Sequence, residues 1–225
     1  MNRHFKLSLT SIKVNEPLGD GVSGFTGIGT NPDDMFLCGI GINKNGERYN
    51  YAPHNIINTS SENRTFEINP PRTIFNLEIP YRENDFLFCF WFYEEDNSSL
   101  RNNWGEITTA FNYHFERKIQ ELRSFNYPRS EESFQAFAEI MLLMHTQVAR
   151  TSDRKYLGIG DGDDVFLPFV IRASHLGGRA THIDTERFKR EYNGTAEGSL
   201  ISRGSSNYNL YFSYNYSKVE NLVTL

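Results

Sequence analysis

Two stretches of the chain set a pair of adjacent carboxylates at the mouth of an apolar run. Gly27 to Ile42 reads GIGTNPDDMFLCGIGI, and Gly158 to Ile171 reads GIGDGDDVFLPFVI. In each, Gly-Ile-Gly leads into an acidic turn that ends in Asp33-Asp34 or Asp163-Asp164, then Met or Val and Phe-Leu. A third acidic turn, Glu94-Glu95-Asp96, succeeds the apolar run from Phe86 to Tyr93. Carboxylates carried to one end of a sheet by separate loops suit a hard cation, since calcium takes about six to eight oxygens. The candidate metal ligands are Asp33, Asp34, Glu94, Asp96, Asp161, Asp163 and Asp164, and calcium is the expected cation. Four or more such groups gathered without a counter-ion would repel and raise one another's pKa. The competing reading is local: Asp161-Gly162-Asp163-Asp164 has the composition of an Asx-type turn.

These acids need strands to position them. Phe5, Leu7 and Leu9 alternate with polar residues and Ile12 and Val14 resume one place out of phase, which predicts a strand with a bulge. Met35 to Ile42 reads as an apolar strand, with Asn43-Lys-Asn-Gly46 as the turn after it. The polar stretch from Asn55 to Arg72 ends in Pro70-Pro71 and suits an edge or an exposed loop. Phe75, Leu77 and Ile79 alternate as a half-buried strand. Phe86 to Tyr93 is apolar throughout and is expected as a central strand covered on both faces. From Tyr208 to Tyr216 the alternation returns, and this last strand is expected to pair with the N-terminal ones. On the strand that leads to the third turn, Glu94 and Asp96 should share one face and Glu95 the other.

In between, the period changes. Ile107, Phe111, Phe115, Ile119 and Leu122 recur as one face of a helix, with Asn103 and Glu106 as a capping box. Pro128 breaks the chain and Ser130 can cap a second helix with the apolar face Phe134, Phe137, Ala138, Met141, Met144 and Val148. Together they read as a helical hairpin over residues 104–150. A shorter helix is expected from Asp184 to Tyr192, capped by Asp184. The fold class is therefore mostly β: an antiparallel β-sandwich, one domain over 1–225, with an inserted α-helical hairpin. Duplicated halves are the competing picture, but the repeated phrase does not extend past its strand.

The segment that contains the third turn, Phe92-Tyr-Glu-Glu-Asp-Asn-Ser-Ser-Leu-Arg-Asn-Asn-Trp-Gly-Glu106, resembles the third calcium-binding loop of C2 domains. Glu94 and Asp96 match its acidic pair, Asn102 falls near a later ligand, and Trp104-Gly105-Glu106 matches its ending. Asp20 and Asp33 or Asp34 are similar to the acids of the family's first loop. The resemblance covers roughly residues 5–106 and implies a C2-like sandwich that binds calcium. Glu94 stands where Asp is usual, Asn102 removes a charge, and the hairpin is foreign to an ordinary C2 domain.

Composition narrows the class. With 225 residues the chain is long enough for a substantial core, and its 18 Phe and 12 Tyr favour strands and large packed surfaces. A formal net charge of −5, with no basic run longer than Arg187-Phe-Lys-Arg190, excludes a general nucleic-acid binder. Cys38 and Cys89 sit in apolar runs and are expected as buried thiols. Neither a signal peptide nor an apolar run long enough to span a bilayer is evident, so the expected place is the cytoplasm, or export without a classical signal.

No nucleotide fingerprint, nucleophile elbow or zinc pattern occurs. His114 and His145 lie at the edge of the helical faces and read as packing. The function expected is a non-catalytic binding or assembly module, with a protein partner, or a membrane or glycan surface bridged by a cation. The alternatives are a carbohydrate-active hydrolase using Glu94 and Asp96 beside Trp104, and a structural subunit of a larger assembly.

Overall fold

The computed structural model describes residues 2–16, 33–59, 63–80, 86–95, 98–124, 132–152, 163–166, 168–172, 184–194 and 206–218. They form nine strands and two helices: β1 Asn2–Glu16, β2 Asp33–Asn43, β3 Arg48–Thr59, β4 Arg64–Pro80, β5 Phe86–Glu94, α1 Ser99–Ser124, α2 Glu132–Ser152, β6 Asp164–Val165, β7 Phe169–Arg172, β8 Asp184–Gly194 and β9 Ser206–Lys218. The strands make two antiparallel sheets. One runs β4-β1-β9-β8; the other runs β3-β2-β5, with β6 and β7 both pairing to the far side of β5.

Alternation along the strands decides which side of each sheet is buried. Phe5, Leu7, Leu9, Ile12 and Val14 of β1 and Tyr208, Leu210 and Phe212 of β9 share one core with Met35, Leu37, Phe86, Phe88, Phe90 and Phe92 of the other sheet. Rings cross the gap between the sheets: Phe5 stacks on Phe86 at 5.5 Å between centroids, and Phe92 meets Tyr208 edge-on at 5.2 Å. The intervening residues of β2 and β5, among them Phe36, Cys38, Trp91 and Tyr93, join a second core with α1 and α2. The second sheet is thus buried on both faces, in a stack of sheet, sheet and helices. That explains the uninterrupted apolar run of β5.

Glycine on β2 makes this packing possible. A Cβ on Gly39 would lie 2.6 Å from the Phe90 ring and 2.7 Å from the Cys89 carbonyl oxygen, and one on Gly41 would lie 2.6 Å from the Phe88 ring. The phenylalanines of β5 lean across the space that side chains at those positions would take.

Several expectations are met. The register of β1 shifts between Leu9 and Ser11 against both neighbours, where its alternation slips. The last strand pairs with the first. Pro70 and Pro71 lie on the edge strand β4, between Arg72 opposite Leu9 and Glu67 opposite Ser11, where β4 bulges away from β1. All five residues expected on the first helical face are buried, joined by Leu100 and Trp104.

Of the two readings of residues 55–72, the edge holds: their described residues lie largely on β3 and β4, the outer strands of their sheets, where outward side chains face water and tolerate polar residues. Others are corrected. The segment from Asp184 is strand β8, not a helix: it pairs with β9 from Asp184 opposite Tyr216 to Gly194 opposite Ser206, and the ladder overrides a weak helical spacing. On α2, Ala138 is exposed, while Ala136 and Ile140 are buried beside Phe134 and Phe137. Ser130 lies outside the described residues. No described helix is long and apolar enough to cross a membrane.

Candidate functional site: the acidic end of the second sheet

The repeated phrase brackets the end of β5. On one side Met35 of β2 lies opposite Glu94; on the other Asp164 of β6 lies opposite the same Glu94. Asp34 is tied to the chain just beyond β5, where the Glu95 N–H donates to the Asp34 carbonyl oxygen at 3.0 Å. Three segments remote in sequence therefore deliver Asp33, Asp34, Glu94, Asp163 and Asp164 to one end of one sheet. Asp96 and Asp161 lie outside the described residues.

Alternation splits these acids between the two faces. Glu94 continues the alternation of Phe90 and Phe92, which line the core between the sheets, and it is buried. Asp34 shares the alternation of Phe36 and Cys38, and Asp163 that of Val165; these are residues of the helix-side core. The acid beyond β5 that joins them is Glu95, whose side chain is 8 % exposed. The alternation of a strand puts Glu95 opposite Glu94, but nothing in the sequence says which face would hold the other acids.

Each acid on this side has a defined environment. Asp163, fully buried, accepts a hydrogen bond through Oδ2 from the backbone N–H of Leu100 at 2.7 Å. Leu100 lies in the first turn of α1, whose N–H groups have no partner within the helix, so Asp163 caps α1 from another part of the chain. This corrects the capping box: α1 begins at Ser99, and Asn103 lies inside it, donating to the Ser99 carbonyl oxygen at 2.7 Å. Asn102, Trp104, Gly105 and Glu106 are likewise helical rather than part of a loop. Trp104 is buried edge-on to Trp91 at 6.1 Å, and its Nε1–H donates to Asn50 Oδ1 at 2.8 Å.

Arg101 supplies the local positive charge. Its Nη2 lies 3.2 Å from Glu95 Oε2 and donates to Ser98 Oγ at 2.7 Å, while the guanidinium sits 5.5 Å from the centre of the Phe36 ring. Burial pushes the Glu95 carboxyl above its usual range, Arg101 opposes the shift, and Asp163 and Asp34 add to it. Tyr93, fully buried and stacked on Phe36 at 5.4 Å, is also raised, by burial first and then by Cys38, Glu95 and Asp163. Tyr93 Oη and Glu95 Oε1 are both buried and find no hydrogen-bond partner among the described residues. Buried polar atoms of this kind ordinarily find a partner in protein, water or a ligand.

The donors on offer are oxygens, which suit calcium or magnesium rather than zinc. Among the described residues, no three His, Cys, Asp or Glu side chains converge closely enough to hold a metal by themselves. The two cysteines are free and buried, their thiols pushed up by burial, and Cys38 Sγ faces the Trp91 carbonyl oxygen at 3.8 Å. His145 is buried on α2 and His114 half-buried on α1. No family model matches the chain, and neither a curated protein nor a solved structure matches it.

Proposed function

We propose that the chain is a non-catalytic binding or assembly module: a C2-like sandwich with a helical hairpin, whose acidic end takes a divalent cation, calcium by its donors. The observation that supports this is the pairing of both Asp-Asp segments with the end of β5, beside buried Glu95 Oε1 and Tyr93 Oη, which find no hydrogen-bond partner among the described residues. Burial first, and then Asp163 and Asp34, raise the Glu95 carboxyl, and a cation there would favour its charged form. Of the acids at that end, Asp34, Glu95 and Asp163 share the helix-side face and would hold it, with backbone carbonyl oxygens and water completing about six to eight oxygens.

A cation shared between these acids and a partner's phosphate, carboxylate or sugar hydroxyls would let a chain of net charge −5 meet an anionic protein, membrane or glycan surface. Calorimetric titration tests the reading. Calcium should bind with saturable heat that Asp34→Asn weakens about tenfold or more, while zinc gives no comparable heat. Absence of saturable heat with calcium and with magnesium would rule the cation out.

A further inference from the structure

Opposite its buried stripe, α1 carries a second pattern. Asn103, Glu106, Ala110, Tyr113, Arg117 and Gln120 recur at alternating steps of three and four, and none of them is buried. This is the spacing of the inward positions of a coiled coil. Tyr113 is 63 % exposed and stands between two shallow hollows of about 570 and 520 Å³. The larger is floored by Gly105, Thr109 and Ala110, and a Cβ on Gly105 would meet nothing within 4 Å.

Turned end for end, the stripe complements itself. In an antiparallel pair of α1 helices Tyr113 falls on Ala110, Glu106 on Arg117 and Asn103 on Gln120. Large meets small, acid meets base and amide meets amide, and a two-fold axis repeats each layer. A parallel pair would set Glu106 against Glu106 and Arg117 against Arg117, which disfavours it. Arg117 is also available: among the described residues it has no ion pair, whereas Arg48, Lys118 and Arg123 pair with Glu116, Glu139 and Glu132.

We propose that the outer face of α1 docks a second copy of this chain, antiparallel, with Tyr113 seated in the hollow over Gly105, Thr109 and Ala110. Neither the acidic end nor a cation takes part in this contact. One helix pair buries less surface than a permanent dimer, so association depends on concentration.

Sedimentation equilibrium of the full chain in chelator, from about 1 µM to about 1 mM, tests it. The mass should rise from one chain towards two. Arg117→Glu should weaken association about tenfold or more, and Glu106→Arg combined with Arg117→Glu should restore it to within about threefold. Circular dichroism establishes that each variant is folded, and Glu67→Lys, on exposed β4, should change nothing. Three results would overturn the proposal: a chain monomeric throughout, as when the face serves a different partner; a dimer indifferent to Arg117→Glu; or failure of the charge swap to restore it.

Discussion

Asp163 and Leu100 are 63 positions apart in the chain, yet the buried carboxylate of one takes the first-turn N–H of the other at 2.7 Å. The contact fastens the entrance of α1 to the segment that leads into β6, and so ties the helical layer to the acidic end of the second sheet.

Asp163→Ala should therefore cost more than a surface substitution. Loss of an N-cap acceptor costs about 0.5–2 kcal/mol, and here the exposed amide is buried as well. For a chain of this size each kcal/mol moves the midpoint by about 2–4 °C, so thermal unfolding should fall by several degrees. Asp163→Asn keeps an acceptor oxygen and should lose less. Equal losses in the two variants would argue that the cap itself is not what matters.

Glu95 should leave a signature in pH. Its folded-state proton affinity is raised, by burial above all, so the folded protein binds the proton more tightly than the unfolded chain. Its contribution favours the fold at low pH and is lost as pH climbs from the ordinary carboxylate range through the raised value. Denaturation by urea across pH 4 to 8 should find Glu95→Gln gaining on the wild type as pH rises. A gap that stays constant across that range would show that the charge of Glu95 is not opposed by its surroundings.

Two glycines should respond in opposite directions. Gly39→Ala forces a methyl against the Phe90 ring and the Cys89 carbonyl, and overpacking of this kind costs about 1–3 kcal/mol. Gly105→Ala sits in α1 with open space around it and should stabilise the helix by up to ~1 kcal/mol. Thermal melts of dilute protein read both, and a destabilised Gly105→Ala would contradict the open environment assigned to it.

The architecture was legible where the packing writes itself into residue type. The phase slip between Leu9 and Ile12 marks the bulge of β1, and the unbroken aromatic run of β5 marks a strand with a layer on each side. Ile107 to Leu122 gives the buried stripe of α1 directly. Edge strands were harder, since β3 and β4 face water and β8 is held by its ladder to β9 rather than by its own sequence.

The site was half legible. The repeated Asp-Asp phrase identifies Asp34 and Asp163, and the ladders bring both copies to β5. That Asp163 caps α1, that Glu95 rather than Glu94 shares their face, and that Arg101 partners Glu95 all depend on tertiary contacts between remote segments. No spacing in the sequence encodes them.

The most direct measurement is the thermal midpoint of the whole chain in millimolar calcium against chelator, beside Asp34→Asn and Glu95→Gln. A cation at 100 times its dissociation constant adds about 2.7 kcal/mol to the fold. The wild-type midpoint should then rise by about 5–10 °C, with a smaller rise in both variants. A midpoint that calcium leaves in place, with the variants indistinguishable from the wild type in their response, would contradict a cation at the acidic end.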